Sequence, residues 1–504
     1  MTFSDFPLIS ILIFLPFAAS VFLMTATKVA ERALYWISVA LAAVNFILAV
    51  VLLLNFTGGT SKGFHFGEQF TWVKELGLRY QVAADSISAW LIVLTAFLGL
   101  VAIFSAGGIT TRPRLFWAAM LALEGGIIGV FSSTNLLLFY IFWEVMLIPA
   151  YFAIGSWGET NFRVRAAIRF VLFTLAGSLL MLVAILFLAF TTTTATGQFS
   201  LDYLDVQRAI GNLSPDTQRW LFLAFAAAFI VKVPLVPFHM WLPDAYAEAP
   251  APALALIAGA MSKTGAYGFL RFCVFLFPAV ANEFAPYFAA LALAGIIYGA
   301  LAALGERDIK RILAYSSLSH MGFIILGIFA INNQGVNGAV LQMVNHGIVT
   351  PALFLAAAAL YTRTGTYNLE QLGGLQNRWP RMAALFLVLA LASLGLPGLN
   401  QFAGEFLIIG GSFLASPIYS AIAVVGVVLA AWYMMRFFQT AWHGPEPQGL
   451  RLAGGDMLGS EYVLFVPLVL LIVLLGVAPS LVTGVLDSAV NDWLRPLVQV
   501  AQSR

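Results

Sequence analysis

"FIVKVPLVPFHMWLPDAYAEAP", residues 229–250, begins as an apolar run suited to lipid and then carries Lys232, Pro234 and Pro237 in close succession. A lysine near the centre of a bilayer costs about 2.5–3.5 kcal/mol on the insertion scale. A proline inside a helix removes a hydrogen bond and clashes with the preceding turn. A chain that tolerates both at one depth has a use for an interrupted, charged helix.

The rest of the chain establishes the lipid setting. Of its 504 residues, 61% are hydrophobic and 10% charged, against about 25% charged in soluble domains. Apolar stretches of about 20 residues recur from end to end, each able to cross about 30 Å of hydrocarbon. Backbone groups in lipid must pair within their own segment, so these stretches are helices. The net charge of +2 gives no sign of a nucleic-acid partner. The lone cysteine, Cys273, lies in an apolar run and can form neither an internal disulfide nor a multi-thiolate metal site. The first helix lacks a basic start, so no cleavable signal is expected. The fold class is an all-α polytopic membrane protein.

Fourteen spans are expected, near residues 8–25, 34–54, 85–106, 115–131, 134–155, 164–190, 219–240, 251–277, 285–303, 309–331, 336–361, 382–415, 417–442 and 461–486. The twelfth is too long for one crossing and contains "SLGLPGLNQFAGEF" (393–406), so it is expected to be broken, as is the seventh around Pro234 and Pro237. Basic residues orient the bundle. Fifteen of the 25 Lys and Arg, from Lys28 to Arg451, fall in or beside odd-numbered loops, and the short even loops hold none. Odd loops therefore face the cytoplasm and both termini face outward. The connections 55–84 and 191–218, the latter with "TTTTATG", are the longer outward loops.

Six ionisable groups fall near mid-span: Glu124, Glu144, Lys232, Lys263, His320 and His346, with Glu405 beside the break in the twelfth helix. Counting outward from the connecting loops sets Lys232 level with Lys263, and His320 level with His346, because helical rise per residue is constant. A single mid-span histidine is more often a packing residue than a functional one. An intramembrane lysine is different, since Met or Leu would insert more cheaply. A layer of carboxylates, amines and imidazoles at one depth reads as a proton relay. Low dielectric disfavours a charged amine and a nearby carboxylate restores it, so a Glu144–Lys232 pair of changing separation can switch the lysine between holding and releasing a proton. His320 and His346 on adjacent helices also leave open a bis-histidine haem.

Helix 7 is the fourth of helices 4–8 and helix 12 the fourth of helices 9–13. Gly/Pro-interrupted segments at matching positions of two halves point to an inverted-repeat transporter site. Five is an odd number, so the second copy enters the membrane upside down. The expected divisions are residues 1–110 (helices 1–3), 111–280 (first repeat), 281–445 (second repeat) and 446–504 (helix 14 and a short tail).

"VKVPLVPFHMWLPDAYAEAP" (231–250), "MSKTGAYGFLRF" (261–272), "ERDIKRILAYSSLSHMGF" (306–323) and "LPGLNQFAGEFLI" (396–408) closely resemble the antiporter-like subunits of respiratory complex I over most of the chain. Within that family, subunits of the L and N types and the Mrp antiporters usually carry Lys where this chain has Glu405, whereas the M type has Glu. The L type also has a long C-terminal lateral helix, and fewer than twenty residues are expected here after helix 14. The resemblance implies that Glu144 and Lys232 are a coupled pair and that Lys263 is the central relay lysine. It implies further that His320 and His346 continue the path, that Glu405 ends it, and that Glu124 is an additional carboxylate on helix 4. It implies a proton-translocating subunit in a bacterial inner membrane, with L- and N-type subunits as neighbours and lipid around it. NADH, FMN, iron–sulfur clusters and quinone would belong to partner subunits and no cofactor to this chain, which has no Gly-rich nucleotide loop and no cysteine cluster. The alternatives are an Mrp-type Na+/H+ antiporter subunit and the homologous subunit of a cyanobacterial-type quinone reductase or membrane-bound hydrogenase.

Four further features read as structure. Gly125/Gly129 and Gly295/Gly299 are small-residue spacings for close helix packing. Trp157, Trp220, Trp241, Trp379 and Trp442 sit near span ends, as interfacial aromatics do. Arg271 is expected to reach a backbone carbonyl or a lipid headgroup, and His239 of "PFHMW" to hold position rather than carry protons.

Overall fold

Twelve helices among the described residues are long and apolar enough to span a membrane. The computed structural model describes residues 6–56, 63–73, 78–196, 199–446 and 452–502; Arg451 and Gly197 lie outside them. The chain runs through α1 (Leu8–Thr25), α2 (Glu31–Leu54), α3 (Ser86–Ser105), α4 (Pro113–Ser132), α5 (Leu136–Val145), α6 (Leu147–Trp157) and α7 (Arg163–Thr196). It continues through α8 (Tyr203–Ile210), α9 (Pro215–Lys232), α10 (Leu242–Glu248), α11 (Ala251–Leu256), α12 (Ser262–Gly268) and α13 (Pro278–Gly305). Last come α14 (Ile309–Phe329), α15 (Asn333–Thr364), α16 (Pro380–Ser393), α17 (Asn400–Ala415), α18 (Pro417–Trp442), α19 (Gly459–Val477) and α20 (Ser480–Gln502).

The two expected spans missing from the twelve are the two expected to be broken. α9 ends at Lys232, an irregular stretch occupies 233–241, and α10 resumes beyond it. The twelfth span is α16 and α17, parted by residues 394–399, where Gly395 and Gly398 take φ values of 78° and 92° that an L side chain resists. A third interruption is new. The fifth span divides between Val145 and Leu147, because Pro149 has no N–H to give the Val145 carbonyl. The eighth span is continuous but widened by π-turns over Ile257–Met261 and Phe269–Val274.

Burial ranks the helices. The span Ala251–Val274 is 100% buried over its apolar window, α14 94% and α15 89%, whereas α19 is 22% buried and α2 and α18 33%. The innermost helices are thus those that carry Lys263, His320 and His346. Apolar residues alone would not select that arrangement, since lipid tails are as apolar as leucine.

Several expectations are corrected. The connection 55–84 contains a hairpin, β1 (His65–Val73) paired antiparallel with β2 (Leu78–Ala84) in the register Phe70↔Tyr80, a small addition to the α-helical bundle. The hairpin is held because the Glu68 carboxylate accepts the free first-turn amides of α1, Ile9 N at 2.8 Å and Ser10 N at 3.1 Å. The second long connection contains α8, whose Asp202 cap accepts from Leu204 N at 3.1 Å. The fourteenth span ends at Val477 rather than near 486, since Ala478 precedes Pro479 and leaves the helical region. Past Pro479 the chain forms the 23-residue α20, longer than the expected tail. This helix buries Val482, Leu486, Val490 and Leu494 at helical spacing against α3, α13 and α15.

Gly125 and Gly299 serve packing as expected. A Cβ would meet Ile13 O at 2.8 Å from Gly125 and Ser319 N at 2.8 Å from Gly299, but Gly295 faces open space. Trp220 is exposed and Trp157 half-buried, whereas Trp241, Trp379 and Trp442 are buried, the last two at the ends of α16 and α18. Arg271 reaches neither a headgroup nor a backbone carbonyl. Its Nη2 pairs with Asp85, whose Oδ2 also accepts the Trp493 indole of α20 at 3.1 Å. Phe64 and Trp493 cover the guanidinium at 5.1 and 5.0 Å.

Candidate functional site

Lys232 is the last residue of α9 and is 1% exposed. The break frees backbone carbonyls beneath it, and one of them, Val231 O, is taken by the Trp241 indole at 2.9 Å. The Lys232 amine has no hydrogen-bond partner and lies over the rings of Trp143 and Phe170 at 5.3 and 5.5 Å. Glu144, one residue from the end of α5, is near enough for its charge to act on Lys232, yet the two form no ion pair. Glu144 lies beside Ser178 of α7 and leaves Oε1 unpartnered. It is half-buried, lining a cleft with Leu147, Ile148 and Tyr151.

Gly265 lets the next helix reach Lys232. A Cβ there would stand 3.1 Å from Lys232 Cβ and 2.7 Å from Val233 Cγ2. Two residues before Gly265, Lys263 is fully buried and its three ammonium directions are all used. Nζ lies 2.7 Å from Ala258 O, 3.1 Å from Ser262 Oγ and 2.8 Å from His346 Nδ1. The π-turn over Ile257–Met261 supplies the Ala258 carbonyl, consistent with such turns marking functional positions. His346 comes within reach because Gly259 and Gly347 face each other: a Cβ on Gly347 would meet Gly259 O at 2.9 Å.

The His346 and His320 rings lie 5.6 Å apart between centroids. His320 Nδ1 is 3.0 Å from Glu405 Oε1, although the contact is not aligned as a hydrogen bond. Both Nε2 atoms are unpartnered. Glu405 sits on the second turn of α17, past the break, and receives Gln342 Nε2 at 3.2 Å. Gln342 also donates to Gln401 at 3.1 Å, and Asn345 donates to Asn400 O at 2.7 Å.

Of the seven residues singled out in the sequence, four therefore form one contiguous buried run: Lys263, His346, His320 and Glu405. Glu144 and Lys232 form a second group one helix away, and among the described residues no side chain hydrogen-bonds to both Lys232 and Lys263. Glu124 is apart from both. Its Oε1 accepts from Asn45 of α2 at 2.6 Å, and its carboxylate packs on Gly99 of α3, so its partner is an amide and not a lysine. His239 is buried with both nitrogens unpartnered and its ring 4.7 Å from that of Tyr298. Sequence reasoning passed over Ser178, Gln342, Asn345, Asn400 and Gln401. Their signal was available as uncharged amides and hydroxyls in otherwise apolar spans, where each needs an internal partner.

A second set of charges lies toward the odd-loop end. Lys310 is 2% exposed, with Nζ 2.9 Å from Glu159 Oε1 and 2.7 Å from Ala249 O, and Asp244 is shared by Arg169 and Arg311. Burial pushes the Glu159 carboxyl above its usual range, and the Lys310 charge pulls against that.

Residues 133–430 match the family model described as "NADH:quinone oxidoreductase/Mrp antiporter, TM". The chain is 36% identical to the NADH-quinone oxidoreductase subunit M of Rickettsia felis over 97% of its own length and 99% of that protein's. It resembles a chain of respiratory complex I from Thermus thermophilus with a TM-score of 0.86 and 32% identity, covering 97% of this chain and 99% of that one. A chain of the Mrp complex from Dietzia has a TM-score of 0.85 over 99% of each chain at 20% identity, a likeness of fold alone.

Proposed function

The chain belongs to the family of NADH:quinone oxidoreductase and Mrp antiporter membrane subunits, and from that premise we propose that it is the M-type proton-translocating subunit of a bacterial NADH:quinone oxidoreductase. The observation that carries this reading is the buried run Lys263–His346–His320–Glu405, with Lys263 and His346 2.8 Å apart and His320 and Glu405 3.0 Å apart.

Those contacts dictate the chemistry. A Lys263 ammonium held by Ala258 O and Ser262 Oγ aims its third N–H at His346 Nδ1, so transfer leaves a neutral amine whose place is already fixed. A proton gained at Nδ1 is matched by one lost from Nε2. It crosses the gap to His320 by a bridging water or a turn of the ring, and Glu405 receives it beside the second break. Upstream, the unpartnered Lys232 amine gains or loses its proton as Glu144 moves between Ser178 and the lysine, and hydration of the 233–241 break links Lys232 to Lys263. Glu124 is an accessory carboxylate beside this path.

The inverted-repeat division at residues 111–280 and 281–445, the cytoplasmic side of the odd loops and the bacterial inner membrane complete the reading, with L- and N-type subunits as neighbours. NADH, FMN, iron–sulfur clusters and quinone belong to partner subunits, so the energy reaches this chain through contacts with them. Glu405 in place of lysine favours this subunit over an Mrp antiporter. The test is Glu144→Gln and Lys232→Ala in the assembled enzyme, with proton uptake and NADH oxidation followed together. Translocation is expected to fall in both; normal translocation in both refutes the proposal.

A further inference from the structure

A cleft of about 720 Å³ opens between α1, α4 and α6 at the end of the bundle that carries the odd loops. Its walls are apolar, with Ile148 and Phe152 58% and 50% exposed. Its mouth is basic, bordered by Arg112, Arg163 and the Ser156 hydroxyl. Trp157 closes the rim with its indole on Thr111 O at 2.6 Å.

Arg112 and Arg163 share with Arg114 and Arg165 the lack of a carboxylate partner among the described residues, and of the four they are the two that border the cleft. Elsewhere on the same end Asp244 neutralises Arg169 and Arg311, and Glu159 neutralises Lys310. Among the described residues no carboxylate pairs with Arg112 or Arg163, and Arg163 gives one N–H to Gly158 O at 3.2 Å. Arg112 also holds φ 47° and ψ 52°, a left-handed backbone that bulky residues seldom adopt and that clusters where a side chain is held for a ligand. Two unneutralised guanidinia above an apolar slot at headgroup depth match an amphiphile with an anionic head.

We infer that this cleft binds one anionic phospholipid, its phosphate on Arg112 and Arg163 and an acyl chain along Ile148 and Phe152. Ile148 also lines the cleft at Glu144, so the chain end lies along that carboxylate's open flank. The site does not depend on the relay, and its test reads lipid rather than proton movement.

The assembled complex is transferred to phosphatidylcholine nanodiscs, titrated with phosphatidylglycerol, and its retained lipid counted by native mass spectrometry. The natural protein is expected to keep one more equivalent of phosphatidylglycerol than the Arg112→Gln/Arg163→Gln variant, whose affinity should be about thirtyfold weaker for two lost surface cations. Ala122→Phe, which fills the slot and leaves the charges, should lose the same equivalent. Arg381→Gln, an exposed arginine away from the cleft, should keep it. Equal retention in all four proteins overturns the site, as does equal loss in Arg381→Gln. A neighbouring subunit cross-linked through Phe152 with no retained lipid also overturns it.

Discussion

Replacing Asp85 with asparagine tests whether the buried pair with Arg271 behaves as electrostatics requires. The two side chains are 0% and 2% exposed, so neither charge can turn to water once its partner is gone. Asp85 has a second task as the cap of α3, accepting from Ser88 N at 2.9 Å. Asparagine keeps that cap at little cost and isolates the charge. An uncompensated buried charge costs about 3–5 kcal/mol, and burial should make the loss insensitive to salt. Asp85→Ala also removes the cap and should lose about 1 kcal/mol more. Arg271→Met together with Asp85→Asn leaves no orphan charge, and a buried pair replaced by apolar groups is often near neutral, so the double variant should recover most of the loss. Thermal unfolding of the detergent-solubilised complex, followed for this subunit, gives the ordering. If Asp85→Asn costs less than about 1 kcal/mol, or if the double variant is worse than the single, the reasoning about an essential buried pair is wrong.

Gly265→Ala would place a Cβ 2.7 Å from Val233 Cγ2 and 3.1 Å from Lys232 Cβ. Overpacking of that kind costs about 1–3 kcal/mol, and it should lower both the melting temperature and the protons moved per NADH oxidised; a variant normal in both measurements would show that the helices need not touch. Glu68→Ala strips the acceptor from Ile9 N and Ser10 N. It should cost about 0.5–2 kcal/mol, as other lost caps do. Amide exchange should speed up at Ile9 and Ser10 while translocation is unchanged.

Composition and period alone determined the lipid setting, the helices and the seventh and twelfth breaks, because in hydrocarbon every backbone group must pair within its own segment and clustered prolines and glycines mark where that fails. The same cost of burying charge made Glu144, Lys232, Lys263, His320, His346 and Glu405 stand out one by one. What they touch was not legible. That Lys263 meets His346, that Glu124 meets Asn45, and that Glu144 stops short of Lys232 depend on how helices distant in sequence pack, which Gly259 and Gly347 decide for Lys263 and His346 and Gly99 for Glu124, where no Cβ would fit. Arg271 shows the limit most clearly. One charge beside apolar neighbours looks like a residue seeking a headgroup, and only the folded chain brings Asp85, 186 positions away, to within reach of it. The hairpin over His65–Ala84 escaped for a related reason. Its strands carry polar residues among the apolar ones, and the amides that hold it belong to α1, nearly sixty positions earlier.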